Sequence, residues 1–406
     1  MNARPSAAPT GLKVFTAGTH RVRPPAETWE LVRRRLPEYG ITRVADVTGL
    51  DVIGIPVAVA VRPLSRSLSV SQGKGHTPLL ARVSAAMESI EMWHAEFACP
   101  PAVHHRTPAS ALRPPYALDL LDRHPGSLLH DGTPLDWVTA TGTLGGARVP
   151  VPRDCVRLGS SRPGHWRPPG LTVTSNGLAS GNTFEEAALH AAYEVMERDA
   201  LSRLAAVPGD PRVTFRAETV EDPLCTELIE RVTRGGVFLD LALVPNRWGL
   251  PCFAAFVWSE DFALLTAGSG AHSSPGVALA RAITEAVQSR LTLINGTRDD
   301  VTAVYAHARR GVTARPRRDP GARAHHELPA ATTPDFTDVG VELRWACARL
   351  AEVTGQEPLV VDLGTTEDFS VVKLIAPGLR AGARHAVPRP DHPEHRPERP
   401  PGPPAR

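Results

Sequence analysis

SNGLASGNTFEEAALHAAYEVMERDAL, residues 175–201, reads as a polar glycine loop (Ser175 to Thr183) that runs into a long helix ending near Leu204. At 100° per residue, Glu186, His190, Glu194 and Glu197 share one arc of about 80°. The rest of the circumference is filled by Ala187, Ala188, Leu189, Ala191, Ala192, Tyr193, Val195 and Met196. A surface helix carries one apolar stripe and a broad polar face. This one is apolar or small almost all round, so it predicts a helix packed on most sides with a carboxylate stripe facing something wet or charged. Three carboxylates that close repel one another. A solvated acidic face is the plain alternative, but no lysine or arginine shares the stripe to make that face ordinary.

The pattern recurs on either side. A polar loop at Ser69 to Thr77 precedes a helix over Pro78 to Phe97 that places Glu88, Glu91 and Ser84 together among Leu80, Val83, Met87, Ile90 and Trp93. A third loop, Gly268 to His272, precedes a helix over Pro275 to about Asn295, on which Arg281, Glu285 and Gln288 share a face while Arg290 points elsewhere. Loop-then-helix therefore occurs three times, twice with Glu-x-x-Glu, which hints at internal duplication. Hard oxygen ligands without Cys or paired His suit magnesium or manganese rather than zinc. Magnesium with few protein ligands completes its shell with water and substrate phosphate, which points to a nucleotide. SQGKGHT, 71–77, offers backbone N–H groups and one ammonium to an anion, although it is not a Walker A loop.

Around these segments, Glu27 to Leu36 reads as a short helix. Ile41 to Val47, Ile53 to Val61, Ala147 to Val151, Val237 to Val244 and Cys252 to Trp258 read as strands. The expected organisation is a flexible leader over 1–16, a catalytic domain over 17–385 with a mobile insertion at 309–335, and a proline-rich tail over 386–406. Eight prolines from Pro388 onward exclude regular structure there. A formal net charge of +2 argues against a nucleic-acid partner. No apolar run is long enough for a membrane span, and the N-terminus has no apolar signal region. Five scattered cysteines support neither a zinc site nor a disulfide framework, so a cytoplasmic location is expected. Only Lys13, Lys74 and Lys373 are lysines, against 42 arginines.

GKGHTPLLARVSAAMESIE (73–91), SNGLASGNTFEEAALHAAYEVMERDAL (175–201) and RAITEAVQSRLTLINGTRDD (281–300) resemble the three signature stretches of the YcaO family. The resemblance spans residues from about 17 to 380. It implies an α+β fold with ATP and Mg2+ in a central cleft, and an enzyme that phosphorylates a peptide amide oxygen so that a nucleophile can replace it. Carried over by motif, Glu88, Glu91, Glu194 and Glu197 would be the magnesium carboxylates. Asn182, Glu186 and Arg198 would hold nucleotide or phosphate, joined by Lys74 and Ser84. GTHRVRPPAET near the N-terminus would add Arg21 and Thr28. One arginine of the third stretch should meet the phosphates: Arg290 matches the motif's Q-x-R, whereas the helical wheel favours Arg281. No catalytic residue is assigned beyond these.

The chain departs from the family pattern at Met92, where the first motif usually continues with Arg, and in ending Pro403-Pro404-Ala405-Arg406 rather than Pro-x-Pro-x-Pro. ITRVADVTGLDVIGIPV (41–57) together with SVSQGKG resembles the stand-alone members that work with a TfuA-type partner in thioamide formation. The expected reaction is thioamide formation on a peptide or protein substrate, with sulfur from a separate donor. The rivals are azoline formation and a non-catalytic nucleotide-binding subunit that presents substrate. A homodimer is left open.

Overall fold

Three sheets and three long helices meet at the centre of the protein in the computed structural model, which describes residues 11–159, 170–206, 211–298 and 315–379. The first sheet is β1 (Arg43–Asp46), β2 (Val57–Val61) and β3 (Val70–Lys74), in that order. The second runs β11 (Thr266–Ala271), β10 (Cys252–Trp258), β9 (Phe238–Leu243), β8 (Val213–Phe215). The third runs β4 (His104–Thr107), β5 (Leu135–Gly142), β12 (Leu359–Asp362), β13 (Ser370–Ile375), β7 (Leu178–Gly181), with β6 (Arg148–Pro152) on β5. The ladders within all three are antiparallel, which with the separate helices makes the fold α+β. Among the described residues the α-helices are α1 (Pro25–Arg35), α2 (Pro78–Phe97), the short α3 (Ala109–Leu112), α4 (Phe184–Ala206), α5 (Pro223–Arg234), α6 (Pro275–Asn295) and α7 (Val339–Thr354).

The helices α2, α4 and α6 follow β3, β7 and β11 directly. Each packs on the strand before it and also touches the corresponding strand of the next unit: α2 meets β7, α4 meets β11 and α6 meets β3. This cyclic packing brings one face of each helix to a common centre. Local chemistry sets the starts. Thr77 caps α2 by accepting from Leu80 N, and Pro78 and Pro275 occupy the first helical turn, where no N–H is needed.

The three segments expected to be glycine loops are largely strand. Gly73 in β3, Gly181 in β7 and Gly268 in β11 lie against helix backbone: a Cβ at these positions would stand 2.0 Å from Ala85 N, 2.4 Å from Ala187 N and 2.2 Å from Ala286 N. The glycines permit strand and helix backbones to touch rather than making a turn. Two outlying segments also bond to the domain. Residues 11–16 of the leader are bound to the domain, through Lys13 N to Thr337 O at 2.9 Å and Val339 N to Gly11 O at 2.7 Å. Within the insertion, Arg323 N donates to Thr214 O at 3.0 Å and Arg216 N to Arg323 O at 2.9 Å, so this part lies along β8. The rest of the leader, the stretch 309–314 and the tail lie outside the described residues.

Candidate active site

The faces of α2, α4 and α6 that converge line a cleft of about 460 Å³, together with β3, β7 and the segment from Gly18 to Thr28. Glu88 and Glu91 come from α2, Glu194 and Glu197 from α4, and Glu285 and Gln288 from α6. Each helix thus offers an acid and a second acid or amide three residues later, which the helical repeat puts side by side. Arg21, Thr28, Lys74, Ser84, Asn182, Glu186, Arg198 and Arg281 line the same cleft.

At one end, Glu186 is an anchor. Its carboxylate accepts from Val22 N at 2.9 Å and from Asn182 N at 3.1 Å, and lies 3.6 Å from Arg21 Nε. Asn182 Oδ1 in turn accepts from Thr28 Oγ1 at 2.7 Å. In the middle, Glu91 accepts from Ser180 Oγ at 2.5 Å, and Glu197 accepts from Ser269 Oγ at 2.5 Å and Ala271 N at 3.0 Å. At the other end, Lys74 Nζ reaches across from β3 to Glu285 on α6 at 2.6 Å. Glu285 was legible only as a polar neighbour of Arg281; its pairing with Lys74 needs the packing of α6 on β3.

The candidate Arg290 lies elsewhere. Its side chain is 1% exposed and bonds Asp51 at 2.9 Å and Ser259 Oγ at 2.8 Å, with its guanidinium over the Phe262 ring. The helical repeat turns Arg281 into the cleft instead, 3.4 Å from His190 Nε2, and its Nε has no hydrogen-bond partner among the described residues.

Burial dominates the electrostatics of the cleft. It pushes Glu88 up to about 7 and Glu91 up to about 8, with Glu194 and other carboxylates adding to the shift. Glu194 is raised by burial and then by Glu197. Burial also acts on Glu285, but Lys74 and Arg198 outweigh it and hold that carboxyl below its ordinary range. Burial, Arg281 and Arg21 keep His190 well below the imidazole range, hence neutral. These raised carboxyls have a consequence for stability. Their protons are held more tightly in the folded than in the unfolded chain, so their contribution is present below the ordinary carboxyl range and is lost as pH rises through about 7 to 8. The ligand-free protein is expected to melt at a lower temperature at about pH 9 than at about pH 6. The Glu88→Gln/Glu91→Gln variant should show a clearly flatter dependence in calorimetric scans; an unchanged slope would remove these two groups as its cause.

Among the described residues no three His, Cys, Asp or Glu side chains close into a ready-made metal cage, and no helix is long and apolar enough to cross a membrane. The carboxylate pairs are instead spread over separate helices that line the cleft, with Arg21, Arg198 and Arg281 in the same lining. The family described as "YcaO cyclodehydratase, ATP- and Mg2+-binding" matches residues 72–380. An uncharacterized protein of Mycobacterium tuberculosis H37Rv is 41% identical over 367 residues, covering 89% of this chain and 83% of its own length. An uncharacterized protein in the tfuA 3' region of Rhizobium leguminosarum bv. trifolii is 38% identical over 294 residues, 68% of each chain. The structure of YcaO from Methanopyrus kandleri bound with AMPPCP and Mg2+ has the same fold, with a TM-score of 0.69 over 91% of this chain and 95% of that one at 24% identity. With the family match running through all three carboxylate-bearing helices, and with close sequence relatives across most of its length, the chain belongs to the YcaO family.

Proposed function

We propose that this chain binds ATP with Mg2+ in the cleft and activates a backbone amide of a peptide, which becomes a thioamide in concert with a TfuA-type partner. The observation that carries the reading is the pair of Glu-x-x-Glu faces on α2 and α4, turned toward one cleft beside Arg198 and Arg281. The donor set fits the ligand. Carboxylates that do not form a closed cage leave coordination positions for phosphate oxygens and water, which is how magnesium is commonly held. The cost of burying Glu88, Glu91 and Glu194 is the kind that a divalent cation relieves.

In this reading Glu88, Glu91, Glu194 and Glu197 hold magnesium. Ser180, Ser269 and the Ala271 amide orient two of them. Arg198, Arg281 and Lys74 face the phosphates beside Ser84, and Arg21, Thr28, Asn182 and Glu186 hold the nucleoside end. When bound, the nucleotide supplies the phosphoryl group that makes an amide oxygen a good leaving group. Sulfur comes from outside the chain. Burial raises the thiols of Cys99 and Cys252, pushes Cys155 up to about 12 and Cys347 up to about 11, and so disfavours thiolates that could carry it. The thioamide assignment is supported by the 41–57 stretch and by the relative named for its place beside tfuA.

The test is intact-mass spectrometry of the peptide encoded beside the gene, incubated with the protein, the TfuA-type partner, ATP, Mg2+ and sulfide. Replacement of oxygen by sulfur adds about 16 Da, whereas ring closure on a substrate side chain removes about 18 Da, because only the nucleophile differs between the two. A gain of sulfur is expected. Loss of water without sulfide would give azoline formation instead, and no mass change with ATP bound would favour a substrate-presenting subunit.

A further inference from the structure

The N-terminal segment carries a buried charge that the nucleotide reading does not use. Lys13 Nζ lies 2.8 Å from Glu342 Oε2 on α7, with side chains 3% and 0% exposed. Tyr193 of α4 donates to the other oxygen of Glu342 at 2.6 Å, and Ser273, at the end of β11, donates to it as well. One carboxylate therefore ties the segment to two of the three central units. In a chain with only three lysines, this one sits where a charge is costly unless paired.

From this fixing point the segment folds back on itself. Val14 N and Phe15 N donate to Arg21 O at 2.9 and 3.1 Å, and Arg21 N donates to Phe15 O at 2.8 Å. The resulting hairpin reaches the cleft at its turn. Phe15 is stacked parallel to His76, and Gly18, at φ +66°, lies against His76 and Leu224, where a Cβ would stand 2.6 Å from the leucine. His20 meets His272 edge-on at a centroid distance of 4.8 Å. Beyond the turn, the Val22 amide donates to Glu186 and Arg21 lies beside the same carboxylate. The hairpin is thus held at its base by Lys13 and delivers its far strand to the nucleoside end of the cleft.

We infer that Lys13 is a positioning residue for the nucleotide: its buried ion pair with Glu342 fastens the hairpin of residues 11–23 so that Arg21 and the Val22 amide are presented at Glu186. The inference rests on the ATP reading above. Neither Lys13 nor Glu342 lines the cleft; Lys13 reaches it through the hairpin, and Glu342→Gln is chosen to keep the Tyr193 and Ser273 bonds so that the hairpin is what it releases.

Two variants of the full chain test it from the two sides of the pair. Lys13→Met removes the ammonium, and Glu342→Gln keeps the size and both hydroxyl donors while removing the negative charge. Amide hydrogen exchange at residues 14–23, measured without ligand, should quicken in both. The calorimetric Kd for Mg2+·ATP should weaken about tenfold through lost preorganisation. Val361→Ala, a core truncation in β12 away from the hairpin, serves as the control for lost stability: it should lower the melting temperature and leave the Kd within about twofold of wild type. Unchanged exchange at 14–23 would overturn the latch. Faster exchange with an unchanged Kd, or an equal loss of affinity in Val361→Ala, would overturn the positioning role. If the wild-type protein bound no Mg2+·ATP, the ATP reading would fail and the positioning role with it, while the exchange data would still decide whether the ion pair holds the hairpin.

Discussion

Replacing Glu194 with Gln is expected to weaken Mg2+-dependent ATP binding by about 100-fold or more, a loss of about 2.7 kcal/mol, with an unaltered far-UV circular dichroism spectrum. Glu194 lines the cleft and makes no hydrogen bond or ion pair among the described residues; it acts on Arg198 and Lys373 through its charge alone, so the amide is expected to leave the fold in place. Burial and Glu197 already raise its proton affinity, which marks its charge as a liability until a cation is present. The amide keeps the shape and removes the anionic oxygen, a poor exchange for a hard cation. Glu197→Gln is a less clean probe. Both oxygens of Glu197 accept hydrogen bonds from β11, and an amide could keep both partners only by giving its carbonyl to the Ala271 N–H and turning the Ser269 hydroxyl from donor to acceptor. Titration calorimetry with and without Mg2+ decides the matter, and an unchanged Kd for Glu194→Gln would mean that magnesium is held elsewhere.

The central helices were legible because their signals are local. Pro78 to Phe97 and Pro275 to Asn295 begin at proline after a cap residue and carry their acids at helical spacing, and both bounds agree with the structure. The strands before them were not legible. VSQGK, LASG and TAGSGA carry only Val70 and Thr266 of the β-branched and aromatic residues that mark strands, and their glycines report a helix backbone pressed against them, which is a tertiary fact. The same holds for the leader. Nothing in LKVF foretells that Lys13 pairs with a residue 329 positions later, because an ion pair between distant segments leaves no periodicity. The faces of α2, α4 and α6 were readable one at a time; that they look at one another follows from each helix packing on the next unit's strand.

The same contrast separates the two arginines of α6. Motif alignment favours Arg290 and the helical repeat favours Arg281, and the two make opposite demands. Arg290 is 1% exposed and shares a buried ion pair with Asp51, itself 3% exposed, so Arg290→Met would leave an uncompensated buried carboxylate. Removing one partner of such a pair costs about 3–5 kcal/mol. Arg290→Met is therefore expected to lower the urea midpoint sharply while any protein that remains folded binds Mg2+·ATP with near wild-type affinity. Arg281 faces the cleft beside a neutral His190, with its Nε unpartnered among the described residues. Removing it breaks no direct ion pair among the described residues: it relieves Arg21, whose guanidinium its charge disfavours, and withdraws a charge that favours the ionised Glu194 and Glu285. With these effects opposed, Arg281→Met should change stability little and reduce ATP turnover about 100-fold, the scale of a lost charge-assisted contact to a reacting phosphoryl group. Denaturation and steady-state kinetics on both variants separate the roles. If turnover fell in Arg290→Met at full stability and survived in Arg281→Met, the phosphate-facing arginine would be the motif's and the cleft would have to rearrange around α6 when nucleotide binds.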